Sequence, residues 1–147
     1  MKIIDGLLDY SKPWGRPDLY LFTGNAAITH DGRLVMGRGA AKECRDRYPG
    51  IDREFAAKIQ AKPEKHVLWI ELDTEQILGW FKVKEHWADD ASLRLIQQSV
   101  AALNALALRR DDRQFHMNYP GIGNGRIPEN MVEPLLQCLP DNVLIYR

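Results

Sequence analysis

Thr23–Tyr48 reads TGNAAITHDGRLVMGRGAAKECRDRY, and near the other end of the chain Tyr119–Pro128 reads YPGIGNGRIP. In each, an apolar run that reads as a strand, Leu19–Phe22 and then Phe115–Met117, empties into closely spaced glycines before a helical pattern begins. Gly37 and Gly39 precede Ala40, Ala41, Lys42 and Glu43; Gly121, Gly123 and Gly125 precede the apolar Met131, Val132, Leu135 and Leu136. Glycine lets a backbone turn with positive φ and bring N–H groups against a ligand with no Cβ in the way. A helix that opens just after such a loop adds unpaired N–H groups and the positive end of its dipole, which favour an anion. The expectation is a nucleotide diphosphate held between two loops.

Outward from these loops, the chain alternates strand and helix. Lys2–Ile4 reads as a short first strand and Ser11–Pro17, SKPWGRP, as a loop. Ala40–Tyr48 reads as a helix stopped near Pro49, and Ile51–Gln60 as a second with Asp52 and Glu54 in its first turn. His66–Leu72 and Gln76–Lys84 are strand-like, with Asp73 and Thr74 between them as a tight turn; runs this close pair antiparallel, because a parallel crossover needs about a dozen residues. From Asp90 to Ala107, Leu93, Ile96, Val100, Leu103 and Ala107 recur at steps of three and four on one helical face. Glu129–Leu139 reads as a last helix, with Pro134 requiring either a start at that residue or an irregular first turn, and Asn142–Tyr146 as a closing strand. Strands separated by helices, with one hairpin, predict an α/β fold: a three-layer α/β/α sandwich around a central mixed sheet.

At 147 residues, 45% of them hydrophobic, the chain suits one domain spanning 1–147 with its own core. Twenty basic residues balance 20 acidic ones, so no uniform field draws in a nucleic-acid backbone, and general nucleic-acid binding is not expected. Anion binding must be local. Cys44 and Cys138 show no metal-ligand spacing and read as reduced, buried thiols; neither a metal nor a cofactor is implied. MKIIDGLLDY lacks the apolar core and cleavage site of a signal peptide, and no run approaches membrane-spanning length, so the chain reads as soluble and cytoplasmic.

More familiar glycine motifs do not fit. GRGAAK lacks the Gly-Lys-Ser/Thr that closes a Walker loop, and a dinucleotide fingerprint would need glycine where Lys42 stands, with an acidic residue downstream; Asp5 and Asp9 lie upstream. In contrast, GNAAITHDGRLVMGRGAAKECRDRYPG resembles the first signature of the macro domains, which bind ADP-ribose, and YPGIGNGRIPENMV resembles their second. FKVKEHWADDASLRLIQQSV is similar to a Lys-x-His-Trp signature in the branch that includes DNA ADP-ribosylation antitoxins, terminal ADP-ribose glutamate hydrolases and relatives that process ADP-ribose 1″-phosphate. The three segments occur in the family's order and span most of the chain.

The resemblance implies a macro-domain-like fold, ADP-ribose or an ADP-ribosylated macromolecule as partner, and either a hydrolase or a non-catalytic reader. It places Asn25 on the distal ribose hydroxyls, Gly37, Arg38 and Gly39 along the distal ribose and phosphates, and Gly121, Ile122, Gly123, Asn124 and Gly125 around the diphosphate. Lys84 would attack the anomeric carbon of the distal ribose as a neutral amine. His86 and Trp87 stand beside it, Trp87 being expected to pack on the following helix. Where glutamate-deesterifying relatives have an Asp after the second glycine loop, this chain has Arg126, Ile127, Pro128 and Glu129, making Glu129 the candidate substitute. His30 is a candidate acid or base for removing a 1″-phosphate. Asp5 is the candidate reader of the adenine amino group.

Overall fold

The computed structural model describes residues 1–11, 18–72 and 76–147. The expected turn at Asp73 and Thr74 and most of the Ser11–Pro17 loop lie outside those residues. In order, the elements are β1 (Lys2–Ile4), β2 (Leu19–Gly24), α1 (Gly39–Arg47), α2 (Ile51–Ala61), β3 (Val67–Glu71) and β4 (Ile77–Lys82). They continue with α3 (Leu93–Arg109), β5 (Phe115–Asn118), a 3₁₀ turn at Gly123–Gly125, α4 (Glu129–Leu136) and β6 (Val143–Tyr146). One six-stranded sheet has the order β1-β6-β5-β2-β4-β3. β3 and β4 form the antiparallel pair, and every other neighbour is parallel.

Alternation along the strands divides the core into two layers. On one face Leu19, Leu21, Phe81, Phe115, Met117, Val143 and Ile145 pack under α3 and α4, which contribute Ile96, Val100, Leu103, Val132 and Leu136. On the other, Tyr20, Phe22, Leu68, Ile70, Leu78 and Trp80 meet Cys44, Ile51, Phe55, Ala56 and Ile59 of α1 and α2. Phe22 and Phe55 meet edge to face at 5.2 Å. The central parallel strands read as continuous apolar runs because both faces are covered.

Most boundaries fall within two residues of the sequence reading, and three of the shifts bear on the site and its supports. β4 stops at Lys82 instead of Lys84 because the Val83 carbonyl accepts from Ser92 N at 2.9 Å, which turns the chain out of the sheet. α3 starts at Leu93 and not near Asp90, since Ser92 is its N-cap and Ser92 Oγ accepts from Leu95 N at 3.2 Å. α4 runs through Pro134 and ends at Leu136, so the missing proline donor falls inside the helix. Cys44 is buried, and burial pushes its thiol well above the usual range, but Cys138 is exposed, against expectation. It lies two residues past the end of α4, between the exposed Gln137 and the buried Leu139, so Leu139 and not Cys138 takes the core position there. Among the described residues no helix is long and apolar enough to cross a membrane.

The connections that matter leave the C-terminal ends of adjacent parallel strands. β2 leads through the first glycine loop to α1 on one face; β5 leads through the second to α4 on the other. Diverging connections open a crevice at the carboxyl edge of the sheet.

Candidate functional site

That crevice is a hollow of about 810 Å³. Both glycine loops line it, together with the ends of β2, β5 and β6 and the segment after β4. The loops also touch each other: a Cβ on Gly39 would lie 3.4 Å from Asn124 Nδ2. Segments more than 80 residues apart in sequence therefore meet over one cavity. Two glycines show why the residue type is required. Gly123 has φ of +66° and nothing within 4 Å of where its Cβ would stand, so it turns the chain while leaving the cradle open. Gly121, with φ of +81°, sits where a Cβ would come within 2.6 Å of Ile96 Cδ1, so the second loop lies directly on α3.

α1 opens into the same space. Its N-cap Arg38 makes no side-chain capping bond, and its first turn holds no acidic residue. The first N–H groups of the helix have no intrahelical acceptor, and the helix dipole adds partial positive charge there. Arg38, Lys84, Arg126 and Arg147 line the hollow against Asp89 and Asp90, so a chain of zero net charge carries a locally cationic cleft.

Of the sequence-predicted residues, Asn25, Gly37, Arg38, Gly39, Lys84, Gly121, Ile122, Gly123, Asn124 and Gly125 line the hollow. Asn25 is buried and uses its amide in the fold: Nδ2 donates to Val35 O at 3.1 Å and Oδ1 accepts from Ala27 N at 3.0 Å. One amide hydrogen and one lone pair stay unspent. Its carbonyl accepts from Trp80 Nε1 at 2.9 Å, which fixes the backbone at the end of β2. Lys84 lies two residues past β4, with Nζ donating to the carbonyls of Trp87 and Asp89, both at 3.1 Å. Trp87 does not pack on α3 as expected; 54% exposed, it stands at the cleft rim with His86 beside it. The 86–90 segment is held to Lys84 and not to the helix face.

His30, Asp5 and Glu129 stand outside the lining. His30 is exposed in the turn of a small hairpin closed by the Ile28–Leu34 bridge. Beside it, hydrogen bonds from Thr29 and Arg33 hold the Asp31 carboxyl below its ordinary range. Asp5 and Glu129 are both claimed by Arg147: Nε lies 3.0 Å from Asp5 Oδ1 and an Nη atom 2.9 Å from Glu129 Oε2. At that corner it is Arg147 that reaches the cavity.

Sequence reasoning passed over Asn118, Tyr119, Tyr146 and Arg147, all of which line the hollow. Asn118 ties β5 to β2: Oδ1 accepts from Thr23 N at 3.0 Å and Nδ2 donates to Thr23 Oγ1 at 2.8 Å. Its signal was available, since it repeats the Asn that follows the first apolar run. Tyr119 is 4% exposed, and burial, then Glu129 and Glu133, push its phenol up to about 12. Tyr146 is positioned by an array no spacing announces. Its hydroxyl lies 2.7 Å from His116 Nδ1, His116 Nε2 lies 3.1 Å from Asp18 Oδ2, and Tyr20 stacks on the imidazole at 4.3 Å. Burial lowers the His116 pKa against the opposing pull of Asp18.

No sequence-family model matches the chain, and no curated protein matches it by sequence. Solved structures do. The macrodomain of Thermus aquaticus DarG superposes with a TM-score of 0.74 at 19% identity, covering 99% of this chain and 95% of that one. The fold is that of a macrodomain. The macrodomain of Mycobacterium tuberculosis DarG gives 0.72 at 23% identity, covering 98% and 96%. Thermosipho africanus DarTG in complex with ADP-ribose gives 0.72 at 18% identity, covering 88% of this chain and 37% of that longer one. In this macrodomain fold the two glycine loops stand over the carboxyl ends of β2 and β5.

Proposed function

We propose that the whole chain acts as one ADP-ribose-binding domain and that it cleaves the bond to the distal ribose at the Lys84 end of the cleft. One observation carries the reading: two remote glycine loops touch above a single hollow beside an uncapped helix N-terminus. The volume suits a nucleotide-sized ligand, within the usual range of about 300–1,000 Å³. The sheet order supports one direction for the ligand. Tyr146 ends β6 with Arg147 after it, the loops follow β5 and β2, and Lys84 follows β4. Three interstrand steps span about 14 Å. The adenine then lies over β6, against Tyr146 and the 94%-exposed Leu7, with Arg147 beside it. The diphosphate takes N–H groups from the loops and α1, and the distal ribose reaches Asn25 and Lys84. The ADP-ribose complex of Thermosipho africanus DarTG, which shares the fold, supports the choice of ligand.

Substrates that fit are ADP-ribosylated protein or nucleic acid, or ADP-ribose 1″-phosphate. A second reading, a reader without chemistry, is favoured by the Lys84 ammonium resting on two carbonyls, because an attacking amine must first give those bonds up. Calorimetry with ADP-ribose tests the shared claim, and saturable binding is expected. Absence of heat with the folded protein refutes both readings. A panel of glutamate-ADP-ribosylated protein, ADP-ribosylated single-stranded DNA and ADP-ribose 1″-phosphate, with products identified by mass, separates hydrolase from reader.

A further inference from the structure

Two buried polar side chains, Asp18 and His116, lie outside the lining of the hollow and make none of the ligand contacts assigned above. They stand with Tyr20 and Tyr146 on the α1 and α2 face of the sheet. Resting on the ADP-ribose reading, we infer that Asp18 and His116 are positioning residues of the binding site: they fix the Tyr146 ring as a wall of the adenine end before the ligand arrives.

Strand register explains how the array forms. His116 of β5 pairs with Tyr20 of β2, so their rings stack as cross-strand neighbours at 4.3 Å with 5° between their planes. Asp18 stands just ahead of β2, where its Oδ1 accepts from Gln114 N at 3.2 Å and its Oδ2 lies 3.1 Å from His116 Nε2. Tyr146 of β6 pairs with Asn118, two residues nearer the carboxyl edge than His116, and its hydroxyl still lies 2.7 Å from His116 Nδ1. The side chain therefore leans back along the sheet, away from that edge, while the residue lines the hollow. Carboxylate, imidazole and phenol form one chain from the start of β2 through β5 to β6.

The chemistry gives this chain one proton order. The Asp18 carboxylate only accepts, so the single N–H of a neutral imidazole belongs on Nε2. Nδ1 is then a lone-pair acceptor, and the Tyr146 hydroxyl donates to it. Burial lowers the His116 pKa, while burial and then Asp18 raise that of Tyr146, so the imidazole is neutral and the phenol keeps its proton. Each link is paired, which is what makes the burial of Asp18 and His116 tolerable. With its hydroxyl already spent on His116, Tyr146 offers the ligand its ring. Asp5, the acid that sequence suggests for reading adenine, is tied to Arg147 at 3.0 Å, so the fixed ring is what this end of the cleft presents. A side chain ordered in advance loses no rotamer freedom when the ligand binds.

The test reads the free protein and the complex separately. In the free protein near neutral pH, ¹⁵N spectra of histidine-labelled protein are expected to show His116 as the Nε2–H tautomer with Nδ1 accepting a hydrogen bond; a proton on Nδ1 overturns the assignment. Calorimetry with ADP-ribose then follows the variants, each checked for folding by its thermal midpoint. Tyr146→Phe deletes only the hydroxyl, and His116→Gln keeps an amide facing Asp18 while removing the acceptor for Tyr146. Each is expected to weaken affinity by about 3–10-fold, the cost of ordering one side chain on binding. The double variant is expected to lose no more than either alone, because both break the same link. His116→Asn places an amide oxygen near the Nδ1 position and is expected to lie closer to the parent than His116→Gln does, although both lack the stacked imidazole. ADP, which has no distal ribose, is expected to lose affinity by the same factor as ADP-ribose. Affinities of Tyr146→Phe and His116→Gln within about twofold of the parent, additive losses in the double variant, or a loss with ADP-ribose and not with ADP overturn the positioning role. His116→Asn as weak as His116→Gln does so too. A parent that binds no ADP-ribose is a distinct result, which sinks the ligand reading on which this inference rests.

Discussion

Replacing Gly123 with glutamate puts a carboxylate into the space assigned to the diphosphate. With φ of +66°, any side chain there costs about 1–2 kcal/mol of left-handed backbone strain. No atom lies within 4 Å of the added Cβ, so steric clash contributes nothing further. In a chain of this size that strain lowers Tm by roughly 2–8 °C, leaving the variant folded at 25 °C. The charge acts on binding. A carboxylate about 4 Å from one phosphate charge, at an effective dielectric of about 20, is repelled by about 4 kcal/mol. Solvent and salt at the open cleft reduce this to about 3 kcal/mol, on the order of a 10²-fold loss of affinity. Gly123→Gln shares the shape and backbone strain without the charge, so the difference between the two variants isolates the electrostatic part. Isothermal calorimetry with ADP-ribose, alongside thermal unfolding of each variant, reads both quantities. Equal affinities for the Glu and Gln variants, both folded, would show that no anion sits at Gly123, and the diphosphate placement would fall.

Lys84→Ala is expected to keep ADP-ribose affinity within threefold and to lose turnover by about 10²-fold or more on the best probe; unchanged turnover leaves Lys84 a pin for the 86–90 segment. Phe55→Ala empties a fully buried site against Phe22 and is expected to cost about 3–5 kcal/mol in chemical denaturation, while a cost under 1 kcal/mol refutes the packing between α2 and the sheet. His116 has its pKa lowered from 6.5, so the unfolded chain binds more protons than the fold just below that value. Its contribution to stability is complete above pH 6.5 and is lost as pH falls through the folded pKa. Denaturation midpoints between pH 7 and 5.5 should therefore fall more steeply in the parent than in His116→Gln, and parallel slopes would refute the assignment.

The layers and the loops were legible from residue order alone. Runs buried on both faces, a helical stripe from Leu93 to Ala107 and glycines clustered within the loops that follow Phe22 and Met117 are local patterns, each set by the period or dihedral freedom of a few neighbouring residues. Which side chains share a cavity followed only from how the elements pack. Asp5 and Glu129 look available in sequence, yet Arg147 takes both: β1 and β6 are neighbours in the sheet, which brings Asp5 to it, and α4 opens with Glu129 beside the same corner. Asp90 looked like the start of a helix, and Ser92, by capping α3 two residues later, left it in the cleft lining. Tyr146 acquired its anchor only when β5 and β6 paired and carried His116 alongside it. An ion pair or a shared hollow depends on distance in space. Chain order leaves that distance open until the sheet order β1-β6-β5-β2-β4-β3 brings remote strand ends to one edge.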